Sequence, residues 1–234
     1  IERATSSEQR RDELKSLLDR QLEHYRATAQ QLHGQRKKHA AALSKQVIGF
    51  MAELGMAGGI FELSVTLNPD RAPSARGDDS LEINISTNPG LPPGPLSKIA
   101  SGGELSRISL AIKVAAAGGA EAVTQIFDEV DAGIGGETAN AVGRLLKRLS
   151  GQKLSGNGQA LCVTHLAQVA VCATHQLEVQ KAAKDGETFI NTRLLDDQSR
   201  VDEIARMLSG KISPQSRAHA RELLSAAGAA GAAD

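Results

Sequence analysis

Aromatic residues are scarce in this sequence: they make up 2% of 234 residues, with no Trp and one Tyr. The core must therefore be built mainly from Leu, Val, Ile and Ala, and the 41% of hydrophobic residues is enough for a globular fold. The formal net charge is zero, because 27 basic residues are matched by 27 acidic ones. The composition lacks the basic excess of a dedicated nucleic-acid-binding domain, although it does not exclude contact with DNA.

Cysteine is also scarce, with Cys162 and Cys172 as the only two. Their spacing fits neither a zinc site nor a redox pair, so we expect buried free thiols in a reducing cytoplasm. No apolar run approaches the ~20 residues of a membrane span, and no secretory signal opens the chain. We expect a segment of a longer cytosolic protein that makes no membrane contact.

Residues 7–54 contain one Gly and no Pro, and they are rich in good helix formers. Their apolar residues recur at the 4-3-4-3 spacing of a coiled-coil seam. Polar residues near Gly34 interrupt this seam, which predicts a weak point before it resumes at Leu43. We predict a coiled-coil arm over residues 1–55, with its partner helix elsewhere; the alternative is one long helix packed on its own domain. The seam consists of Leu18, Leu22, Tyr25, Ala29 and Leu32.

Alternating apolar and polar residues predict antiparallel strands at 60–67 and 81–86. Apolar strands then alternate with helices, which is typical of an α/β fold with a parallel sheet flanked by helices. We predict one α/β lobe over residues 56–226 and a flexible tail at 227–234. Further strands are predicted at 123–127, 160–164, 176–181 and 187–195, and helices at 103–117, 137–150, 166–172, 199–209 and 214–227.

A Ser-Gly-Gly-Glu segment, Ser101 to Glu104, opens the helix predicted at 103–117. Ser followed three residues later by Glu is a capping box, which accounts for these two residues without any ligand. It does not account for Gly102 and Gly103, because glycine in a helix costs up to ~1 kcal/mol against Ala. Since a helix N-terminus with free N–H groups attracts anions, the segment predicts a phosphate-contacting helix start.

Two adjacent carboxylates, Asp128 and Glu129, follow the strand predicted at 123–127. Ligand sites of parallel sheets lie beyond the carboxyl ends of the strands. One carboxylate there can hold Mg²⁺ while its neighbour orients an attacking water; the alternative is a solvated acidic turn. The Gly-rich loop that follows contains Asp131, and it is either a tightly apposed functional loop or a plain connection.

His165 follows the strand predicted at 160–164. If this strand is a parallel neighbour of the first, His165 lies at the same edge of the sheet as Asp128 and Glu129. An imidazole there can donate a hydrogen bond to a phosphate, whereas a lone histidine is more often a structural residue.

In this order the motifs resemble the second half of an ABC-type ATPase head. The segments SGGELSR, FDEVDAGIGG and CVTHLAQVA resemble, more specifically, DNA-repair ATPases related to the SMC proteins. The resemblance runs from about residue 96 through the last helices, and the N-terminal helix fits the returning arm of the coiled coil that such proteins insert into the head. The matches are the signature motif at Ser101–Glu104, the Walker B pair at Asp128 and Glu129, the D-loop at Asp131 and the switch histidine at His165.

The resemblance implies ATP and Mg²⁺ as cofactors, bound between two heads of a homodimer that forms through its heads or its coiled coil. Asp128 would hold Mg²⁺, while Glu129 and His165 would be catalytic. Asp131 would link the two sites of the dimer. Ser101, Gly102, Gly103 and Glu104 would contact the nucleotide of the neighbouring head. The implied function is ATP-dependent repair of DNA double-strand breaks by tethering of DNA ends, in a bacterial, cytoplasmic, nucleoid-associated protein.

One departure from the family pattern is the absence of a Gly-x-x-x-x-Gly-Lys-Ser/Thr loop. We expect this phosphate-binding lobe in another part of the same protein, so that the present chain is a C-terminal lobe without activity of its own. An alternative function is a structural DNA-tethering scaffold in which nucleotide only sets the conformation. The second carboxylate, Glu129, favours hydrolysis, and the coiled-coil arm disfavours a transporter. The basic cluster at 35–38 predicts a solvated helix face.

Overall fold

The structure is a computed structural model that describes residues 2–98, 101–117, 124–151, 158–184 and 187–230. Val123, loop residues 152–157 and tail residues 231–234, which carried predictions, lie outside the described residues. The elements in chain order are helix α1 (Glu2–Glu53), strands β1 (Ile60–Leu67), β2 (Asp79–Ser86) and β3 (Gly94–Pro95), a 3-10 turn (Leu96–Lys98), α2 (Gly102–Ala116), β4 (Thr124–Phe127), α3 (Gly136–Gly151), β5 (Gln159–Cys162), α4 (Ala167–Ala170), β6 (Leu177–Lys184), β7 (Glu187–Leu194), α5 (Asp197–Ser209) and α6 (Pro214–Ala230).

The contacts divide the chain into two units. The first comprises Ile1–Ile48, Ile60–Ser86 and Gly90–Lys98, and the second comprises Gly49–Gly59, Thr87–Pro89 and Ile99–Asp234. This differs from the predicted division at residue 55, because the hairpin β1–β2 groups with the long helix. The predicted tail also begins later than expected, since α6 remains helical through Ala230.

Helix α1 runs unbroken through Gly34, so the predicted weak point is not an interruption of the helix. Part of the predicted seam is exposed: Leu18 is 65% exposed and Leu22 is 38% exposed. Ala29, further along the same seam, is 4% exposed and buried within the chain. The first half of α1 therefore presents an apolar stripe that the described residues leave largely uncovered.

The hairpin of the first unit pairs β1 with β2 in antiparallel register, with Phe61 opposite Ile85 and both side chains buried. Two acids at its second strand, Asp78 and Asp79, bind α1, and each side chain is 1% exposed. Arg36 donates to Asp79 at 3.0 Å, so the basic cluster at 35–38 is not simply a solvated face. The α1 partners of these two acids are Tyr25, Arg26, His33 and Arg36.

The second unit contains the parallel pair β4–β5, with Phe127 opposite Cys162 at its carboxyl end. Its core is formed by buried side chains of α2 and α3, among them Ile108, Leu110 and Val142. A smaller core joins α4, α5 and α6, and β6 and β7 form an antiparallel hairpin. Within the described ranges, no helix is both long enough and apolar enough to cross a membrane.

Candidate functional site

The carboxyl end of the pair β4–β5 brings the acidic pair and the histidine to one edge of the sheet. Strand β4 ends at Phe127 and is followed by Asp128 and Glu129, while β5 ends at Cys162, three residues before His165. The amide of Val163 donates to the carbonyl of Phe127 at 3.1 Å, which continues the parallel pairing to this edge. The predicted parallel neighbourhood of the two strands is confirmed.

Asp128 is exposed, and both its carboxylate and its backbone carbonyl accept hydrogen bonds. Its Oδ1 accepts the amide of Glu129 at 3.0 Å, and its carbonyl accepts the hydroxyl of Ser106 at 2.8 Å. Among the described residues there is no cluster of three acidic, histidine or cysteine side chains that could hold a metal alone. One exposed carboxylate nevertheless suits Mg²⁺ bound to a nucleotide, since this ion keeps its waters and takes the remaining ligands from phosphates.

Glu129 has a backbone φ of 57°, the left-handed region that residues other than glycine seldom adopt. This conformation costs an L-residue on the order of 1–2 kcal/mol, and such outliers concentrate at functional sites. The turn after β4 holds it, because the amide of Ala132 donates to the carbonyl of Glu129 at 3.1 Å. The carboxylate is exposed at the edge of the sheet.

The Ser-Gly-Gly-Glu segment starts helix α2, as predicted. The hydroxyl of Ser101 caps the helix by accepting the amide of Glu104 at 3.4 Å. The carboxylate of Glu104 accepts the hydroxyl of Thr87 at 3.4 Å. A hydroxyl has two acceptor lone pairs and one donor, so the cap leaves the O–H of Ser101 able to donate to an anion.

The two glycines of this segment are closely approached by the chain itself. A Cβ placed on Gly102 would lie 2.6 Å from Oε2 of Glu129, and one on Gly103 would lie 2.9 Å from Cβ of Ala132. Close packing on the loop after β4 is therefore one reason for glycine at these two positions, and the predicted approach of a ligand stays a prediction. Gly103 is buried and Gly102 is exposed.

Arg107 is a site residue that the sequence reasoning missed. It is 8% exposed, and its Nη1 donates to the carbonyl of Ala132 at 2.9 Å. Burial lowers the pKa of the guanidinium from its ordinary value, and the charge of Glu104 opposes this. The signal was available in the sequence, since Arg107 follows Gly103 by four residues and so lies on the same helix face.

Asp131 lies in the Gly-rich loop and is buried, with 3% exposure. Its Oδ2 accepts the hydroxyl of Thr164 at 2.6 Å and the backbone amide of His165 at 3.0 Å. The same oxygen lies 3.1 Å from Nδ1 of His165, whose side chain is 72% exposed. The loop is therefore tightly bound to the segment after β5 within one chain, and Thr164 is a second residue that the sequence reasoning missed.

The two cysteines are free and half-buried. Burial, with the charges of Asp131 and Asp128, raises the pKa of the Cys162 thiol to about 12. Burial also raises the pKa of the Cys172 thiol. Both side chains therefore remain neutral thiols at neutral pH; they are free, as expected, but less buried than expected.

The sequence of the chain is similar to that of RecN proteins. It is 43% identical over 222 residues to the DNA repair protein RecN of Vibrio cholerae serotype O1, a match covering 94% of this chain and 39% of that protein. It is 47% identical over 201 residues to RecN of Xylella fastidiosa (strain Temecula1), covering 86% of this chain and 35% of that protein. The chain thus spans less than half the length of these relatives. No family model matches it.

A solved structure agrees with the predicted fold class. The Smc head domain with an extended coiled coil from Pyrococcus furiosus, bound to the C-terminal domain of ScpA, superposes with a TM-score of 0.54. The match covers 85% of this chain and 46% of that one at 20% sequence identity, so the likeness concerns the fold alone.

Proposed function

Since this chain belongs to the RecN family of SMC-like proteins, of which it spans a part, we propose that the parent protein hydrolyses ATP between two heads during repair of DNA double-strand breaks. The observation that carries this proposal is the shared edge of β4 and β5. Asp128, Glu129 and His165 lie there together, and the start of α2 contacts the same loop.

In this proposal Asp128 would hold Mg²⁺ and Glu129 would orient the attacking water. The metal would supply neutralisation of phosphate charge when it is bound with ATP. Glu129 is suited to its role because its exposed carboxylate borders the start of α2 at Gly102, while its backbone takes the left-handed turn after β4. His165 follows β5 at the same edge of the sheet, and its ring is exposed.

The start of α2 would serve the nucleotide of the neighbouring head. Ser101 and Gly102 are exposed, and the N-terminus of α2 carries free N–H groups suited to phosphate. Gly103 is buried against Ala132, so it contributes close packing of the helix start on the loop after β4. Glu104 contributes through the helix cap and through its bond with Thr87.

The missing phosphate-binding lobe would cover the pair β4–β5. Parallel sheets are normally buried on both faces, yet Ile126 is 72% exposed and Val163 is 65% exposed. Apolar side chains this open on a parallel pair indicate a covering partner, and we assign that place to the N-terminal lobe of the same protein. The exposed stripe of α1 would pair with a second helix of the coiled-coil arm, which carries head motion towards DNA ends.

A Glu129→Gln variant of the full-length protein tests hydrolysis against the scaffold alternative. We expect ATP binding close to wild type and turnover lower by on the order of 10²-fold or more, because the amide cannot act as the base. Glu137→Gln is a matched control, since Glu137 is an exposed acid on α3 that pairs with Arg144 at 3.3 Å. Turnover that survives Glu129→Gln would remove Glu129 from the mechanism and favour the scaffold.

The same variant tests the biological role. If hydrolysis drives repair, cells carrying Glu129→Gln lose resistance to DNA double-strand breaks although the protein still binds nucleotide. Resistance equal to wild type would favour a tethering role in which turnover is dispensable. We also propose a cytoplasmic, nucleoid-associated location, which a fluorescent fusion would reveal by following the nucleoid after DNA damage.

A further inference from the structure

Two consecutive residues of α2 donate hydrogen bonds to the two ends of the turn that contains Glu129. The hydroxyl of Ser106 donates to the carbonyl of Asp128 at 2.8 Å, directly before Glu129. Nη1 of Arg107 donates to the carbonyl of Ala132 at 2.9 Å, at the far end of the turn. The amide of Ala132 donates in turn to the carbonyl of Glu129 at 3.1 Å. The left-handed backbone of Glu129 therefore lies between two hydrogen bonds that come from one helix.

Arg107 is not the side chain that stability alone would favour at this position. It is 8% exposed, and its Nε is buried without a hydrogen-bond partner in the part of the chain that the structure describes. A buried donor without a partner destabilises a protein, and a buried charge does so more strongly. The negative charge of Glu104 compensates only in part, since burial has the larger effect on the guanidinium. An unsatisfied group of this kind calls for a reason other than stability.

We infer that Arg107, together with Ser106, is a positioning residue for Glu129: the two side chains tie the turn after β4 to the start of α2 and so hold the carboxylate where it would orient the attacking water. This inference rests on the proposed function and deepens it by naming residues that act through Glu129. Arg107 itself is buried and is not expected to touch the nucleotide.

Close packing beneath these hydrogen bonds supports the same role. A Cβ on Gly103 would lie 2.9 Å from Cβ of Ala132 and 3.3 Å from Nη1 of Arg107. The guanidinium thus passes close to the backbone of Gly103 on its way to the carbonyl of Ala132. Because tightly packed groups transmit strain, a shift of the turn would be felt at the start of α2.

Arg107→Met in the full-length protein tests the inference by kinetics, because methionine is also long and apolar along its stem but has neither charge nor donors. We expect kcat to fall by on the order of 10-fold or more, with the KM for ATP close to wild type, since a misplaced catalytic group slows the reaction without weakening binding. Arg107→Lys keeps the charge and a donor, so it should recover part of the loss. A wild-type kcat in Arg107→Met would overturn the inference.

Arg144→Met is the matched control, because Arg144 is an arginine of α3 that forms an exposed ion pair with Glu137 at 3.3 Å. Its kcat should equal that of wild type. Urea unfolding of the full-length variants then separates positioning from stabilisation. Arg107→Met should have an unfolding midpoint equal to or above that of wild type, because it removes a buried unpaired donor. A clearly lower midpoint, with a loss of kcat that Arg107→Lys does not recover, would make Arg107 a structural residue and overturn the inference.

Hydrogen exchange of the full-length protein without nucleotide tests the turn directly. We expect the amides of residues 129–134 to exchange on the order of 10-fold faster in Arg107→Met and in Ser106→Ala, with unchanged exchange in the rest of α2. Wild-type exchange at the turn in both variants would overturn the inference. Ser106→Ala decides the same question if Arg107→Met does not fold, since alanine is favourable within a helix.

The failure of this inference is distinct from the failure of the proposed ATPase. Turnover that survives Glu129→Gln refutes the proposed role of Glu129. An inactive Glu129→Gln together with a fully active Arg107→Met refutes only the positioning role. The exchange measurement needs no turnover, so it reports on the turn in either case.

Discussion

Gly102 and Glu129 touch: a methyl group added to Gly102 would lie 2.6 Å from Oε2 of Glu129. The first residue of α2 thus borders the carboxylate that follows β4. In the proposed function α2 would serve the nucleotide of the neighbouring head and Glu129 the nucleotide of its own head. The contact between Gly102 and Glu129 would then join two nucleotide sites within one chain. Ser106 and Arg107 strengthen the junction through the carbonyls of Asp128 and Ala132.

The two glycines of α2 predict different outcomes when each is changed to alanine. In Gly102→Ala the obstacle is the far end of the flexible Glu129 side chain, so we expect unchanged stability of the 234-residue chain. In Gly103→Ala the obstacles are Cβ of Ala132 at 2.9 Å and its carbonyl at 3.1 Å, which cannot turn away. We expect Gly103→Ala to destabilise the chain by about 1–3 kcal/mol.

Urea unfolding of the 234-residue chain measures the stability of each variant. ATP turnover is measured on the same variants of the full-length protein. Gly102→Ala should lower turnover, because it displaces the Glu129 carboxylate. If the two variants were equally stable, the loop after β4 would be able to move away from α2, and the expected steric cost at Gly103 would be wrong.

Because the backbone of Glu129 is left-handed, we expect a glycine at this position to give a more stable protein than an alanine does. Glu129→Gly relieves the steric cost, whereas Glu129→Ala keeps it, so the glycine variant should be more stable than the alanine variant by about 1 kcal/mol. Both variants should lack ATP turnover in the full-length protein. Chemical denaturation measures the difference, and a more stable alanine variant would contradict the strained backbone.

Asp78 predicts a pH dependence of the first unit. The hydroxyl of Tyr25, followed by Arg26, lowers the pKa of Asp78 below its ordinary value of 3.8, and burial opposes this. A carboxyl whose pKa is lower in the folded state stabilises the fold above the unfolded value, and this contribution is lost as pH falls toward the folded value. We expect the unfolding midpoint of wild type to fall as the pH drops below about 4.

Two variants separate Asp78 from the other acids. Asp78→Asn should be less stable than wild type at neutral pH, with a weaker loss in acid. Tyr25→Phe should move the acid transition to higher pH, because it removes the largest cause of the lowered pKa. Midpoints measured across this pH range would contradict the assignment if Tyr25→Phe and wild type had the same profile.

The 234-residue chain alone should bind ATP weakly and hydrolyse none, since it has no Gly-x-x-x-x-Gly-Lys-Ser/Thr loop to hold the phosphates. Calorimetry with MgATP measures the affinity, and the full-length protein is the control. Micromolar binding by the chain alone would contradict the need for the second lobe.

The order of helices and strands could be predicted from the sequence, because it depends on local periodicity. The continuous helix α1, the alternation of β1 and β2 and the apolar strand before Asp128 all appear where they were expected. The meeting of Asp128 with His165 followed from topology, since parallel strands share their carboxyl edge. The division of the chain was predicted less well, because the hairpin binds α1 through side chains distant in sequence.

By itself, the sequence determined which residue types stand at the start of α2 and after β4 and β5. Only the tertiary structure decided what they touch: Glu129 fills the space above Gly102, and Ala132 packs on Gly103. It also turned Asp131 inward onto His165. The physical reason is that these contacts join residues about 25 to 35 positions apart, which local preferences do not constrain, whereas burial and hydrogen bonding in the folded chain do.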